Sequence, residues 1–266
     1  MPSRLLGAVR ALAFYVGYAL ITMLWASLSL LFAWMLPYAA RFQFVIGGWT
    51  RLILAWLRAC CGIRTAVEGR ENIPAKPCIV FVKHESTWET IFVQTLFAPQ
   101  ATLIKRELLL IPFFGWAFSL LKPIAIDRGD ARRALRALIK AGRARLEQGI
   151  WVVLFPEGTR VPVGETRAFQ VGGAALAAQS EAQVIVVAHD AGNVWPAHRL
   201  IKRSGVVHVK ISPPITTAGM RAKDINAAAR AWMEAAMREL GRGDDQTSRL
   251  TTDSALASMN SRLGST

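Results

Sequence analysis

Two side chains in Val82-Lys83-His84-Glu85-Ser86-Thr87-Trp88-Glu89-Thr90 are of the types that move protons: His84 and, five positions on, Glu89. A histidine titrates near pH ~6.5, so at neutral pH it is mostly free base and able to take a proton from a hydroxyl. A carboxylate beside it fixes the tautomer and stabilises the imidazolium that forms. The apolar run from Pro77 to Val82 reads as a buried strand, and the spacing of Trp88, Ile91, Phe92 and Leu96 reads as a helix. The pair therefore falls where a strand turns into a helix, which is where α/β sheets place their sites. The same residues carry a purely structural pattern, because Ser86-x-x-Glu89 is also a capping box.

A second constellation follows Ile150 to Phe155, another strongly apolar strand: Phe155-Pro156-Glu157-Gly158-Thr159-Arg160. Pro and Gly shape a tight turn, and Thr159 and Arg160 then present a hydroxyl and a forked cation at the mouth of the sheet. Arginine matches phosphate in bidentate fashion, and glycine lets backbone amides approach an oxyanion. The bland alternative is a surface turn with incidental charges.

The remaining elements have to position these two groups. Further strands are expected at Ala101 to Ile104, Pro123 to Asp127, Val184 to Ala188 and Val206 to Ile211, with a short one between Gly62 and Pro77. Lys105-Arg106-Glu107-Leu108 opens a helix that Pro112 and Gly115 interrupt. Asp130 caps a long helix that Gly149 stops, and helices are also expected over Gln170 to Ser180 and Lys223 to Leu240. On the long helix Arg132, Arg136, Lys140 and Arg143 form a basic stripe, suited to acidic head groups, to an acidic carrier, or simply to water. The alternation predicts an α/β domain with a mostly parallel sheet flanked by helices. From residue 241 the composition reads as a disordered tail.

Lys and Arg number 32 against 18 Asp and Glu, while 53% of residues are hydrophobic. A soluble nucleic-acid binder is rarely so apolar; a protein seated on anionic lipid is both basic and apolar. Ala11 to Ala40 is uncharged, long enough to cross a bilayer or to fold into a bent hairpin, with a break expected at Pro37. Val45 to Cys61 keeps one face apolar, as in an interfacial helix or a core-facing one. Residues 1–61 thus read as a membrane-anchoring helical segment ahead of the α/β domain. Cys60, Cys61 and Cys78 show no metal spacing, and no glycine-rich nucleotide loop or nucleophile elbow is present, so neither a metal nor a nucleotide cofactor is expected.

Over about Gly62 to Leu240 the blocks together resemble the glycerolipid acyltransferase family. His84 to Glu89 looks like its His-x4-Asp block. Lys105 to Arg128, with Glu107, Pro112, Gly115 and Asp127-Arg128, looks like the second, and Phe155 to Arg160 matches Phe-Pro-Glu-Gly-Thr-Arg. Glu89 stands where the family usually has Asp, and Lys83 where Asn commonly precedes the histidine. A fourth, apolar block corresponds to Val184 to Ala188, with Val186 in the place of a proline.

The resemblance implies that residues 62–240 form an acyltransferase domain. In it His84, held by Glu89, would deprotonate the sn-2 hydroxyl of lysophosphatidic acid for direct attack on the thioester of acyl-CoA or acyl carrier protein, giving phosphatidic acid. Lys105, Arg128, Glu157, Gly158, Thr159 and Arg160 would hold the glycerophosphate, with no cofactor beyond the thioester co-substrate. The setting it implies is a bacterial inner membrane, the site facing the cytoplasm and an acyl groove bordered by Trp88, Phe113, Phe114, Trp116 and Phe118. Two alternatives stand beside this: a same-family enzyme acting on lyso-ornithine lipid or another lysophospholipid, and a non-catalytic membrane lipid-binding protein.

Overall fold

The apolar, β-branched runs of the chain pair into one seven-stranded sheet in the computed structural model, which describes residues 2–126 and 130–241. Its strands are β1 (Ile63–Glu68), β2 (Ile79–Val82), β3 (Gln100–Lys105), β4 (Ile124–Ile126), β5 (Trp151–Leu154), β6 (Val184–His189) and β7 (Gly205–Ile211). They lie in the order β1-β7-β6-β2-β5-β3-β4. Every pairing is parallel except β6 with β7. The sheet is thus mostly parallel, as the sequence predicts, mixed only by that one antiparallel pair, with β2, β5 and β6 at its centre. These three strands are buried along their whole length, as strands covered on both faces must be.

Helices fill the connections: α1 (Pro2–Phe32), α2 (Tyr38–Phe42), α3 (Trp49–Cys61), α4 (Trp88–Phe92), α5 (Phe114–Ser119), α6 (Ala131–Glu147), α7 (Val171–Ser180) and α8 (Ala191–Val194). A last helix, α9, covers 222–241. Because strand side chains alternate between faces, each of the three central strands feeds two cores. Val80, Val82, Val153, Ile185 and Val187 pack with buried residues of α1, α3, α4 and α5. Ile79, Phe81, Val152, Leu154, Val184 and Val186 pack with those of α6, α7 and α9.

The N-terminal 61 residues share the first of these cores. Phe14 and Ala26 of α1, and Trp49, Ile53 and Leu57 of α3, are buried against the sheet's helices, so the apolar face of α3 turns inward. The outer side of α1 stays bare, with Leu5, Leu12, Leu24 and Leu31 among its exposed side chains. Leu5–Met35 and Tyr38–Cys61 are both long and apolar enough to cross a membrane, and Pro37 separates them. The indole N–H groups tie the two helices together: Trp25 donates to the Phe44 carbonyl at 2.9 Å and Trp49 to the Thr22 hydroxyl at 3.0 Å. At Gly17 and Gly48 a Cβ would collide with Trp56 and Trp25, so the glycines set how closely the helices approach.

Asp130 caps α6 as its position predicts, its carboxylate accepting from the Arg133 amide at 2.9 Å. The helix expected from Lys105 splits at Pro112 into a 3-10 turn, Arg106–Leu110, and α5. Arg128 and the tail beyond Gly241 lie outside the described residues.

Candidate active site

His84 and Glu89 meet because β2 ends at Val82 and α4 begins at Trp88, with five residues turning the chain between them. Glu89 Oε1 lies 2.7 Å from His84 Nδ1 and also accepts from the backbone amides of Ser86 at 3.0 Å and Glu85 at 3.2 Å. The glutamate half of the capping box, the bond from the Ser86 amide, therefore uses the same oxygen that meets His84. With Nδ1–H donating to Glu89, Nε2 is left as the basic nitrogen. The Glu89 side chain is buried and His84 is 15% exposed, enough for its outer edge to meet a substrate while the ring stacks on Phe155 at 4.3 Å.

The second motif grips the backbone of the first. Glu157 Oε2 accepts from the His84 amide at 2.8 Å, and the His84 carbonyl accepts from Val161 N–H at 2.8 Å. Glu157 Oε1 pairs with Lys83 Nζ at 2.6 Å, both side chains being buried. The lysine that stands in place of the family's asparagine is thus the counter-ion of the Phe-Pro-Glu-Gly-Thr-Arg turn. Both Glu157 oxygens are engaged in this brace, whereas the sequence reading counts Glu157 with the phosphate ligands.

Gly158 turns the chain with φ +75°, a left-handed conformation that disfavours other residues. Thr159 is exposed, and Arg160 is partly buried with an Nε–H that meets no acceptor. A buried guanidinium N–H without a partner is costly and marks a place for an anion. Lys105 ends β3 as an exposed side chain two strands from β2, which at the usual strand spacing is roughly 10 Å across the sheet edge. The structure thus brings His84, Glu89, Gly158, Thr159, Arg160 and Lys105 to one edge of the sheet. The aromatic set divides: Trp88 is wholly buried core stacked on Phe92, while Phe113 and Trp116 are exposed.

Comparison with known proteins gives the family of the chain. The family model described as Acyltransferase matches residues 64–190. The 1-acyl-sn-glycerol-3-phosphate acyltransferase of Pseudomonas aeruginosa is 43% identical over 236 residues, 88% of this chain and 92% of that protein. The chain belongs to the acyltransferase family. A Borreliella burgdorferi enzyme with the same name is 31% identical over 62% of this chain and 70% of its own. The crystal structure of the 1-acyl-sn-glycerophosphate (LPA) acyltransferase of Thermotoga maritima superimposes with a TM-score of 0.77, covering 90% of this chain and 97% of that one at 23% identity, and so shares the fold.

The candidate site has a buried floor that the sequence reading misses. His189, at the end of β6, donates from Nε2 to the Lys83 carbonyl at 2.9 Å and accepts at Nδ1 from Ala191 N–H at 3.2 Å. Those two bonds assign its neutral tautomer. The ring lies 3.8 Å from Glu85 Oε1 and 3.8 Å from Glu89 Oε2. Glu85 accepts from Gly192 N–H at 2.8 Å, and burial pushes its carboxyl above the usual carboxylate range despite the neighbouring His189. One signal was visible: His189 follows an apolar strand just as His84 does. Ser86 extends the network, donating to the Trp195 carbonyl at 2.7 Å. Trp195, Phe14 and Tyr15 in turn surround Lys202 Nζ at 4.4, 4.3 and 3.8 Å from their ring centres, joining α1 to the site. Burial pulls Lys202 down to about 8.

Proposed function

We propose that this acyltransferase moves a fatty acyl group from acyl-CoA or acyl carrier protein to the sn-2 hydroxyl of lysophosphatidic acid, giving phosphatidic acid, with His84 as general base. The observation that carries the reading is the 2.7 Å His84–Glu89 contact on the same sheet edge as the unpartnered Arg160 N–H. The names of the relatives supply the acceptor.

In this mechanism His84 Nε2 takes the hydroxyl proton as the oxygen attacks the thioester carbonyl carbon. Collapse of the tetrahedral adduct breaks the carbon–sulfur bond, and the imidazolium returns its proton to the departing sulfur. Glu89 holds Nδ1–H throughout and stabilises the positive charge. Arg160, Thr159, Gly158, Lys105 and Arg128 hold the acceptor's phosphate, while Glu157, neutralised by Lys83, keeps His84 in place by accepting from its backbone amide. The reaction uses the thioester alone, with no metal or other cofactor. The exposed apolar side of α1 seats the enzyme on the cytoplasmic side of a bacterial inner membrane, where the lipid acceptor is found.

Transfer of a labelled acyl group to lysophosphatidic acid by the purified protein in detergent tests this, with His84→Ala beside it. The variant is expected to lose transfer while its circular dichroism and Tm stay close to wild type. Wild-type turnover by that variant would remove His84 from the chemistry.

A further inference from the structure

The peptide group that joins Lys83 to His84 lies just past Val82, the last ladder-paired residue of β2. A strand end leaves backbone polar atoms in need of partners, and where water is excluded those partners have to be side chains. Here they come from both flanking strands. Glu157, just beyond β5, accepts from the N–H of this peptide at 2.8 Å. His189, the last residue of β6, donates from Nε2 to its C=O at 2.9 Å. β2 lies between β5 and β6, and the C=O and N–H of a trans peptide point in opposite directions, so the two bonds hold one rigid plane from two sides. The imidazole of His189 is itself fixed. Its Nδ1 accepts from the Ala191 amide at 3.2 Å, the Trp88 ring stands edge-on at 5.8 Å between centres, and the residue is 1% exposed. The same ring passes 3.8 Å from Glu89 Oε2, a buried oxygen with no hydrogen-bond partner.

We propose that His189 is a positioning residue for the His84–Glu89 pair: by bonding the Lys83 carbonyl opposite Glu157, it fixes the peptide plane from which His84 projects, and with it the direction of His84 Nε2. The proposal rests on the acyl-transfer reading above. His189 is buried beneath the pair, so it acts through His84 and not on substrate. Orientation of this kind has kinetic weight, because a misplacement of about 1 Å at a reacting group costs up to about 10²-fold in rate. A core histidine that only satisfied its neighbours would change stability and leave the kcat of folded molecules as it is. The two roles therefore separate in kinetics.

Two amide side chains divide the imidazole between them. Glutamine places an N–H donor near the position of Nε2, and asparagine places its oxygen near that of Nδ1. His189→Gln thus keeps a donor for the Lys83 carbonyl, and His189→Asn loses it while keeping an acceptor for the Ala191 amide. The test is steady-state kinetics of the full-length enzyme in detergent, with lysophosphatidic acid as acceptor and acyl-CoA or acyl carrier protein as donor, kcat being counted per molecule folded by circular dichroism. His189→Asn is expected to lower kcat about 10²-fold with both KM values unchanged, and His189→Gln to stay within about threefold of wild type. Equal kcat in the two variants, or a loss expressed in KM, overturns the proposal. So does an asparagine variant that folds at no temperature, since the role would then be structural. Should wild type transfer from neither donor, the acyl-transfer reading fails by itself, and positioning is still read from the proton resonance of His84 Nδ1–H, identified by its absence from His84→Ala. A resonance kept in His189→Gln and displaced in His189→Asn upholds the proposal; the same spectrum from both variants and wild type overturns it.

Discussion

One oxygen of Glu89 accepts from the imidazole of His84 and from two backbone amides, so substitutions there separate catalysis from helix initiation. Glu89→Gln keeps an acceptor for the amides but loses the charge that stabilises the imidazolium. Its kcat is expected to fall by roughly 10³-fold or more with little change in Tm; turnover near wild type would show that the acid is not part of the chemistry. Lys83→Met leaves Glu157 buried without its counter-ion and is expected to cost about 3–5 kcal/mol in urea unfolding. The double variant Lys83→Met/Glu157→Gln should recover part of that loss, and a loss equal to the sum of the single ones would mean the pair is not coupled. Glu85 gives a pH dependence. Its folded-state pKa is raised, so above pH 4.5 the native state keeps a proton that the unfolded chain releases. Stability therefore declines as pH rises from 4.5 toward the raised value. Unfolding scans should show Glu85→Gln flattening that limb, and an unaltered limb would place its origin elsewhere. The dyad was legible because acid and base sit on one turn. The Lys83–Glu157 brace was not: the partners are 74 residues apart, and a lysine beside the base reads as a surface charge until the fold buries it.

The sheet and its flanking helices followed from alternating apolar runs, Asp130 announced its helix, and Pro112 marked the split before α5. Strand order was less legible. β1 pairs with β7 and β2 lies between β5 and β6, choices made by tertiary packing rather than by any local pattern. The π-helical turn Gln43–Gly48 was invisible for a similar reason, since Trp25 packing on Phe44 and against Gly48 depends on the contact with α1. Packing distance between elements is testable at Gly173, where α7 meets the central strands. A Cβ there would lie 2.6 Å from Phe81 Cε1 and 2.9 Å from Leu154 Cδ1. Gly173→Ala should cost about 1–3 kcal/mol through strain in this contact, despite alanine's better helix propensity. Denaturant unfolding decides it; a stabilised variant would mean α7 shifts freely over the sheet.

The whole molecule does not divide at Gly62 into an anchor and a separable enzyme, because α1 and α3 complete one of the two cores of the sheet. A chain beginning at Gly62 would expose Val80, Val82 and Ile185 to water and is expected to aggregate; a folded, soluble product by circular dichroism would contradict this. The sequence pattern showed an apolar N-terminus but not which side of it faces protein, since Trp, Phe and Leu serve lipid and core alike. That sidedness has a kinetic meaning. With bare leucines on one side of α1, an enzyme with the proposed function would work on a two-dimensional film, where acceptor is counted as a mole fraction of lipid and donor as molarity in the aqueous phase. Inert phospholipid added at constant total lysophosphatidic acid would then slow turnover by surface dilution, whereas a tenfold larger volume at fixed donor concentration would leave each bound enzyme's rate unchanged.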